Sequence, residues 1–68
     1  MRLSARNILK GKIVDVLKGQ TTAHVPIDIG AAVVTASITN EAVDELGLKR
    51  GMAASAVIKS SDVMVAVD

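Results

Sequence analysis

Residues 23–29, Ala23-His24-Val25-Pro26-Ile27-Asp28-Ile29, alternate apolar and polar side chains. Side chains of a strand point to opposite faces in turn, so Ala23, Val25, Ile27 and Ile29 share one face, with His24, Pro26 and Asp28 on the other. The stretch therefore reads as a half-buried strand. Pro26 lacks an N–H, which predicts that this strand lies at a sheet edge or carries a bulge there. Upstream, residues 8–18 form a β-rich run, with Ile13 and Leu17 on one face and Val14 and Val16 on the other. Lys18-Gly19-Gln20-Thr21 turns the chain into the next strand as a hairpin would. Gly30-Ala31-Ala32 is a second turn, and residues 33–39 form a third strand with Val34, Ala36 and Ile38 facing one way.

One helix interrupts the strands. Asn40 is its predicted N-cap, Glu41 suits the first turn, and Gly47 takes the C′ position. Ala42, Val43 and Leu46 form its apolar stripe. After the Lys49-Arg50-Gly51 turn come a fourth strand over residues 52–59 (Ala54, Ala56 and Ile58 inward), a polar break at Ser60-Ser61-Asp62, and a fifth strand over residues 63–67. The expected class is all-β with one short helix. Its order, β-β-β-α-β-β, is that of the five-stranded OB-fold barrel. Residues 1–68 read as one domain without repeat or linker.

The core available to such a barrel is thin. The chain has 68 residues, half of them hydrophobic, yet no Phe, Tyr or Trp and no Cys. A chain of this size buries only about 60% of its unfolded surface. Without disulfides or a thiolate metal site, a partner subunit is the remaining source of stability. Strands one, four and five are apolar on both faces, which predicts that another subunit covers the second face.

The same composition excludes functions. OB-folds that bind nucleic acid stack bases on aromatic side chains, and this chain has none. No apolar run approaches the ~18 residues of a membrane span. No apolar segment follows the charged N-terminus, which points to the cytoplasm. Asp28, Asp62 and Asp68 have no matching nucleophile and base, and His24 is alone, so no enzyme is expected. Met52 and Met64 read as packing. Net charge is only +1, but it is unevenly spread. Residues 1–20 hold Arg2, Arg6, Lys10, Lys12 and Lys18 against Asp15, a net of +4, whereas residues 21–48 hold Asp28, Glu41, Asp44 and Glu45, a net of −4.

Two segments depart from the β-pattern. Ser4-Ala5-Arg6-Asn7 precedes the first strand, and Lys59-Ser60-Ser61-Asp62 separates the fourth from the fifth. Each combines a hydroxyl, a cation and backbone N–H groups outside a ladder, which is what an oxyanion site uses. Ordinary solvated loops have the same composition, and spacing alone leaves both readings open. Asp62 would repel an anion and reads as a turn residue.

Ser4-Ala5-Arg6-Asn7-x-Leu9-Lys10-Gly11-Lys12, together with Val57-Ile58-Lys59-Ser60-Ser61-Asp62-Val63-Met64, resembles the molbindin (Mop) family of small molybdate-binding proteins, of the transport-associated OB type. The Ile38–Leu48 region and the Lys18-Gly19 turn fit it as well. The resemblance spans the chain. It implies an OB-fold assembled as a homohexamer, a trimer of dimers that share strands between subunits. It also implies molybdate or tungstate at subunit interfaces, with no organic cofactor and no nucleic-acid or membrane partner. On that pattern Ser4, Ala5, Arg6 and Asn7 of one subunit face Lys59, Ser60 and Ser61 of its neighbour. A more variable second site near the threefold axes would draw on Lys18, Gly19, Gln20, Thr21, Thr22 or His24. Two roles follow, cytoplasmic storage of molybdenum or a regulatory domain acting on a partner protein. The extent of the sequence, with no DNA-binding or ATPase part, favours storage.

Overall fold

The structure, a computed structural model, describes residues 3–68; Met1 and the basic Arg2 lie outside the described residues. The elements are β1 (Asn7–Ile13), β2 (Leu17–Lys18), β3 (Thr22–Asp28), β4 (Val33–Thr39), α1 (Asn40–Leu46), β5 (Ala53–Ile58) and a 3-10 turn (Ser60–Asp62). The fold is mostly β with one short helix. β3 is its centre. One edge pairs with β4 along the whole strand, from Thr22 opposite Thr39 to Asp28 opposite Val33. The other edge takes β1 at Lys12 and Ile13, then β2 at Leu17 and Lys18. β1 also pairs antiparallel with β5, from Asn7 opposite Ile58 to Lys12 opposite Ala53. Among the described residues β4 and β5 do not pair, so the sheet is not closed into the expected barrel.

Four local expectations change. The single first strand divides at residues 14–16, where the Asp15 carboxylate accepts a hydrogen bond from the Val16 N–H at 2.8 Å. This local bond competes with the ladder. The break also changes the inward set: Ile13 is buried and Val16 packs on the core, whereas Leu17 is exposed. Pro26 lies in the inner strand β3, not at an edge. Its carbonyl accepts from the Val14 N–H at 2.9 Å, so the missing N–H falls beside the β1–β2 break and no ladder bond is lost.

The helix N-cap is Thr39, whose hydroxyl accepts from the Ala42 N–H at 3.0 Å. Asn40 is the first helical residue. The C-terminus is as expected: Gly47 has φ 63°, and the Leu48 N–H reaches back to the Val43 carbonyl at 3.0 Å, the paired closure that a left-handed glycine allows. Finally, residues 63–68 form no strand, and Met64, Val65 and Val67 are 93%, 90% and 92% exposed. In the single chain they pair with no strand, although β4 and β5 each keep an open edge.

The core is small, as composition demands. Ile13, Ala23, Val25, Ile27, Val43 and Ala56 are buried, and Leu9, Val34, Ala36, Ile38 and Ala54 pack against them. The alternation in β3 holds at every residue, with Ala23, Val25 and Ile27 in and Thr22, His24 and Asp28 out. Gly11 lets β1 cross β3: a Cβ there would lie 2.2 Å from the Asp28 carbonyl oxygen.

Candidate functional site

The β1–β5 register decides where the two polar motifs go. Asn7 begins β1 and stands opposite Ile58, the last residue of β5. Its side-chain Nδ2 donates to the Ile58 carbonyl at 3.2 Å and so clamps that end of the ladder. Ser4-Ala5-Arg6 enters the ladder, and Lys59-Ser60-Ser61 leaves it, at this same end. Both motifs thus adjoin the same end of one ladder.

Their polar groups are largely unspent. Ser4, Arg6, Lys59, Ser60 and Ser61 are exposed, and Ala5 and Asn7 are half-buried. After β5 the chain makes a single 3-10 turn, in which the Asp62 N–H donates to the Lys59 carbonyl at 2.9 Å and the Val63 N–H to the Ser60 carbonyl at 3.3 Å. Among the described residues, the Ser60 and Ser61 N–H groups donate to no backbone carbonyl. Arg6 and Lys59 make no ion pair among the described residues. The result is a cluster of hydroxyl, N–H and cationic donors. Exposed apolar side chains adjoin it in sequence or register: Leu3 before Ser4, Ile8 opposite Val57, and Val63 after the turn.

The Lys18–Thr22 turn has a different character. Lys18 Nζ donates to Asp44 Oδ1 at 2.6 Å. The Gly19 N–H donates to the Thr22 carbonyl at 2.7 Å, and the Thr21 carbonyl accepts from the Asn40 N–H at 2.9 Å. The Gly19 carbonyl accepts from Asn40 Nδ2 at 2.9 Å. Asn40 Oδ1 is buried without a partner among the described residues. The sequence pattern gave Asn40 a capping role and Asp44 none; in the structure they anchor this turn to the helix. His24 stands apart on the exposed face of β3, opposite Leu17 and Ser37.

A third feature is an apolar groove of about 350 Å³, lined by Val25, Ala36, Ile38, Leu46, Met52 and Ala54 among others, where β4 and β5 fail to pair. Among the described residues no group of three or more His, Asp or Glu side chains could hold a metal ion. No helix among them is long and apolar enough to cross a membrane.

Residues 3–65 match the TOBE domain. The chain is 50% identical over 66 residues to molybdenum-pterin-binding protein 1 of Clostridium pasteurianum, which covers 96% of this chain and 97% of that protein. The chain belongs to the molbindin (Mop) family of TOBE-domain proteins. Its fold agrees. MopII from Clostridium pasteurianum superposes with a TM-score of 0.90 at 45% identity, covering 97% of this chain and all of the other. The cytoplasmic molybdate-binding protein ModG, with molybdate bound, superposes at 0.89 and 48% identity, covering 94% of this chain and 46% of ModG. The molbindin fold is thus of the OB type, and the family is one of molybdate-binding proteins.

Proposed function

We propose that this molbindin binds molybdate or tungstate as the free oxyanion between subunits of a homohexamer, a trimer of dimers, and stores molybdenum in the cytoplasm as a single-domain protein without catalysis. The observation that carries the reading is the Asn7–Ile58 register, which gathers Ser4, Ala5, Arg6, Asn7, Lys59, Ser60 and Ser61 at one end of a ladder. Molybdate is a tetrahedral dianion whose oxygens only accept hydrogen bonds. Ser4, Ser60 and Ser61 supply hydroxyl donors, and residues 5–7 supply backbone N–H groups. Arg6 and Lys59 offset the charge, Lys59 as a charge-assisted donor. A single chain offers these donors from one side only. A neighbour's Lys59-Ser60-Ser61 facing Ser4-Ala5-Arg6-Asn7 would surround the anion.

Assembly has its own support. Leu3, Ile8, Val57 and Val63 leave apolar surface beside the donors. The groove between β4 and β5 lacks a strand, and residues 63–68 have a β-rich sequence but form no strand. Placing the tail of one subunit in the groove of another satisfies both. Full burial of a Val or Met side chain contributes roughly 1.5–3 kcal/mol, so the exchange would outweigh the thin core. Because only the assembly would bind well, ligand would in turn stabilise it.

Native mass spectrometry with and without molybdate tests the reading. Hexamers with molybdate bound in whole-number stoichiometry are expected, and removal of residues 63–68 should leave monomers. A 7.0 kDa monomer under both conditions would overturn it.

A further inference from the structure

We infer that Lys10, which lies outside the seven candidate ligand residues, steers the anion towards them, whereas Lys12, two residues along the same strand face, does not. The inference rests on the oxyanion reading above. Lys10 and Lys12 are exposed and alternate with half-buried Leu9 and Gly11 and buried Ile13, so both stand on the outer face of β1. Neither makes an ion pair among the described residues.

Their surroundings differ. Opposite Lys10 on β5 is Ser55, with Ala53 and Val57 at the diagonal positions, so β5 presents no carboxylate to it. Opposite Lys12 on β3 is Asp28, and directly opposed side chains of an antiparallel pair lie about 5 Å apart at Cβ. Asp28 is a diagonal step from Lys10. Asp28 makes no ion pair with Lys12 and its Oδ1 accepts from the Gly30 N–H at 2.8 Å, but its charge offsets that of Lys12 at a distance more than that of Lys10.

Distance sharpens the contrast. At about 3.4 Å per residue, Lys10 is roughly 10 Å along the strand from Asn7, and Lys12 roughly 17 Å. The Debye length is about 30 Å at 0.01 M ionic strength and about 10 Å at 0.1 M. A dianion feels twice the energy of a monovalent ion, so at low salt Lys10 acts on it at long range before contact. The charge of Lys10 adds to those of Arg6 and Lys59, which already outnumber Asp62 at the Asn7 end of the ladder.

The test is rapid mixing of radiolabelled molybdate with wild type, Lys10→Gln and Lys12→Gln, followed by filtration, at several salt concentrations. The two variants carry the same change in net charge. Association of Lys10→Gln should be about threefold slower than wild type at ~0.01 M salt and within about 1.5-fold above ~0.5 M. Lys12→Gln should stay within about 1.5-fold throughout, and dissociation should be unchanged in both. Circular dichroism confirms that each variant folds. An unchanged rate for Lys10→Gln at low salt overturns the inference, as does equal slowing in both variants, which would reflect net charge alone. Faster dissociation of Lys10→Gln would make it a direct ligand contact and also overturn it. A wild-type protein that binds no molybdate overturns the oxyanion reading itself.

Discussion

The β2–β3 turn and the far end of the β1–β5 ladder have nearly the same ingredients. One holds Lys18, Gly19, Gln20, Thr21 and Thr22; the other holds Lys59, Ser60 and Ser61 beside Ser4-Ala5-Arg6-Asn7. In the first, the lysine and the backbone of the turn are engaged: Lys18 is paired with Asp44, Gly19 is tied at both its N–H and its carbonyl, and the Thr21 carbonyl receives the Asn40 N–H, while the exposed Gln20, Thr21 and Thr22 side chains make no hydrogen bond among the described residues. In the second, hydroxyls, N–H groups and cations remain free among the described residues. A ligand site needs donors in hand, whereas a structural turn has spent them. The difference lies in hydrogen-bond accounting, which composition cannot reveal.

The largest test removes the support of the ladder. Gly11→Ala would push a Cβ against the Asp28 carbonyl, which is backbone and cannot swing aside. We expect a loss of about 3 kcal/mol or more, and in a chain this small a fall in Tm of at least roughly 12 °C. Molybdate affinity should fall with it, because β1 carries Asn7 and the arm before it. A thermal scan matching wild type would mean that β1 does not cross β3 so closely.

A smaller, cleaner test separates the two turns by function. Lys59→Ala removes a charged donor from an exposed position, and losing such a bond costs about 1.5–3 kcal/mol, so molybdate affinity should drop by roughly 10- to 100-fold. Ser4→Ala, with only a hydroxyl lost, should weaken binding by about tenfold or less. Neither should move Tm by more than a degree or two in the absence of ligand. Titration calorimetry and a thermal scan report both quantities. Unchanged affinity in both variants removes the ladder end as the site.

Thr39→Ala tests the platform on which the β2–β3 turn rests. The cap contributes about 1 kcal/mol, so Tm should fall by roughly 4–8 °C with molybdate affinity unchanged. Asn40 and Asp44, which hold the turn, sit on the first turns of the same helix. If Thr39→Ala leaves Tm unchanged, the Thr39 hydroxyl does not cap the helix.

Some of this was readable from the chain. Strict alternation in β3 gave its buried face residue by residue, because a period of two has one solution once a face is apolar. Gly47 marked the helix end because a left-handed residue is needed there. The break at Asp15 was hidden, since Val14-Asp15-Val16 continues the β-pattern and only the carboxylate's bond to the next N–H interrupts it. Asn40 was misread because capping is a local rule, whereas its amide reaches a carbonyl 21 residues away. The tail at residues 63–68 has a strand's sequence, but a period of two does not say which edge a strand takes, and in the single chain it takes none. At the candidate site the motifs were legible individually. That they adjoin the same ladder end follows only from the Asn7–Ile58 register.

The smallest effect is the one that most directly opposes the two turns. Lys18→Ala removes the only ion pair among the described residues, between side chains 46% and 68% exposed. Solvent and salt screen such pairs, which contribute about 0–1 kcal/mol. Tm should therefore fall by a few degrees at most, and less in high salt. If the turn is structural, molybdate affinity and stoichiometry should match wild type, even though Lys18 is as much a lysine beside hydroxyls as Lys59 is. If calorimetry instead finds fewer anions bound per subunit, the Asp44 partnership yields to ligand. The β2–β3 turn would then be a second oxyanion site, and the contrast between spent and free donors would not separate structural turns from binding ones in this fold.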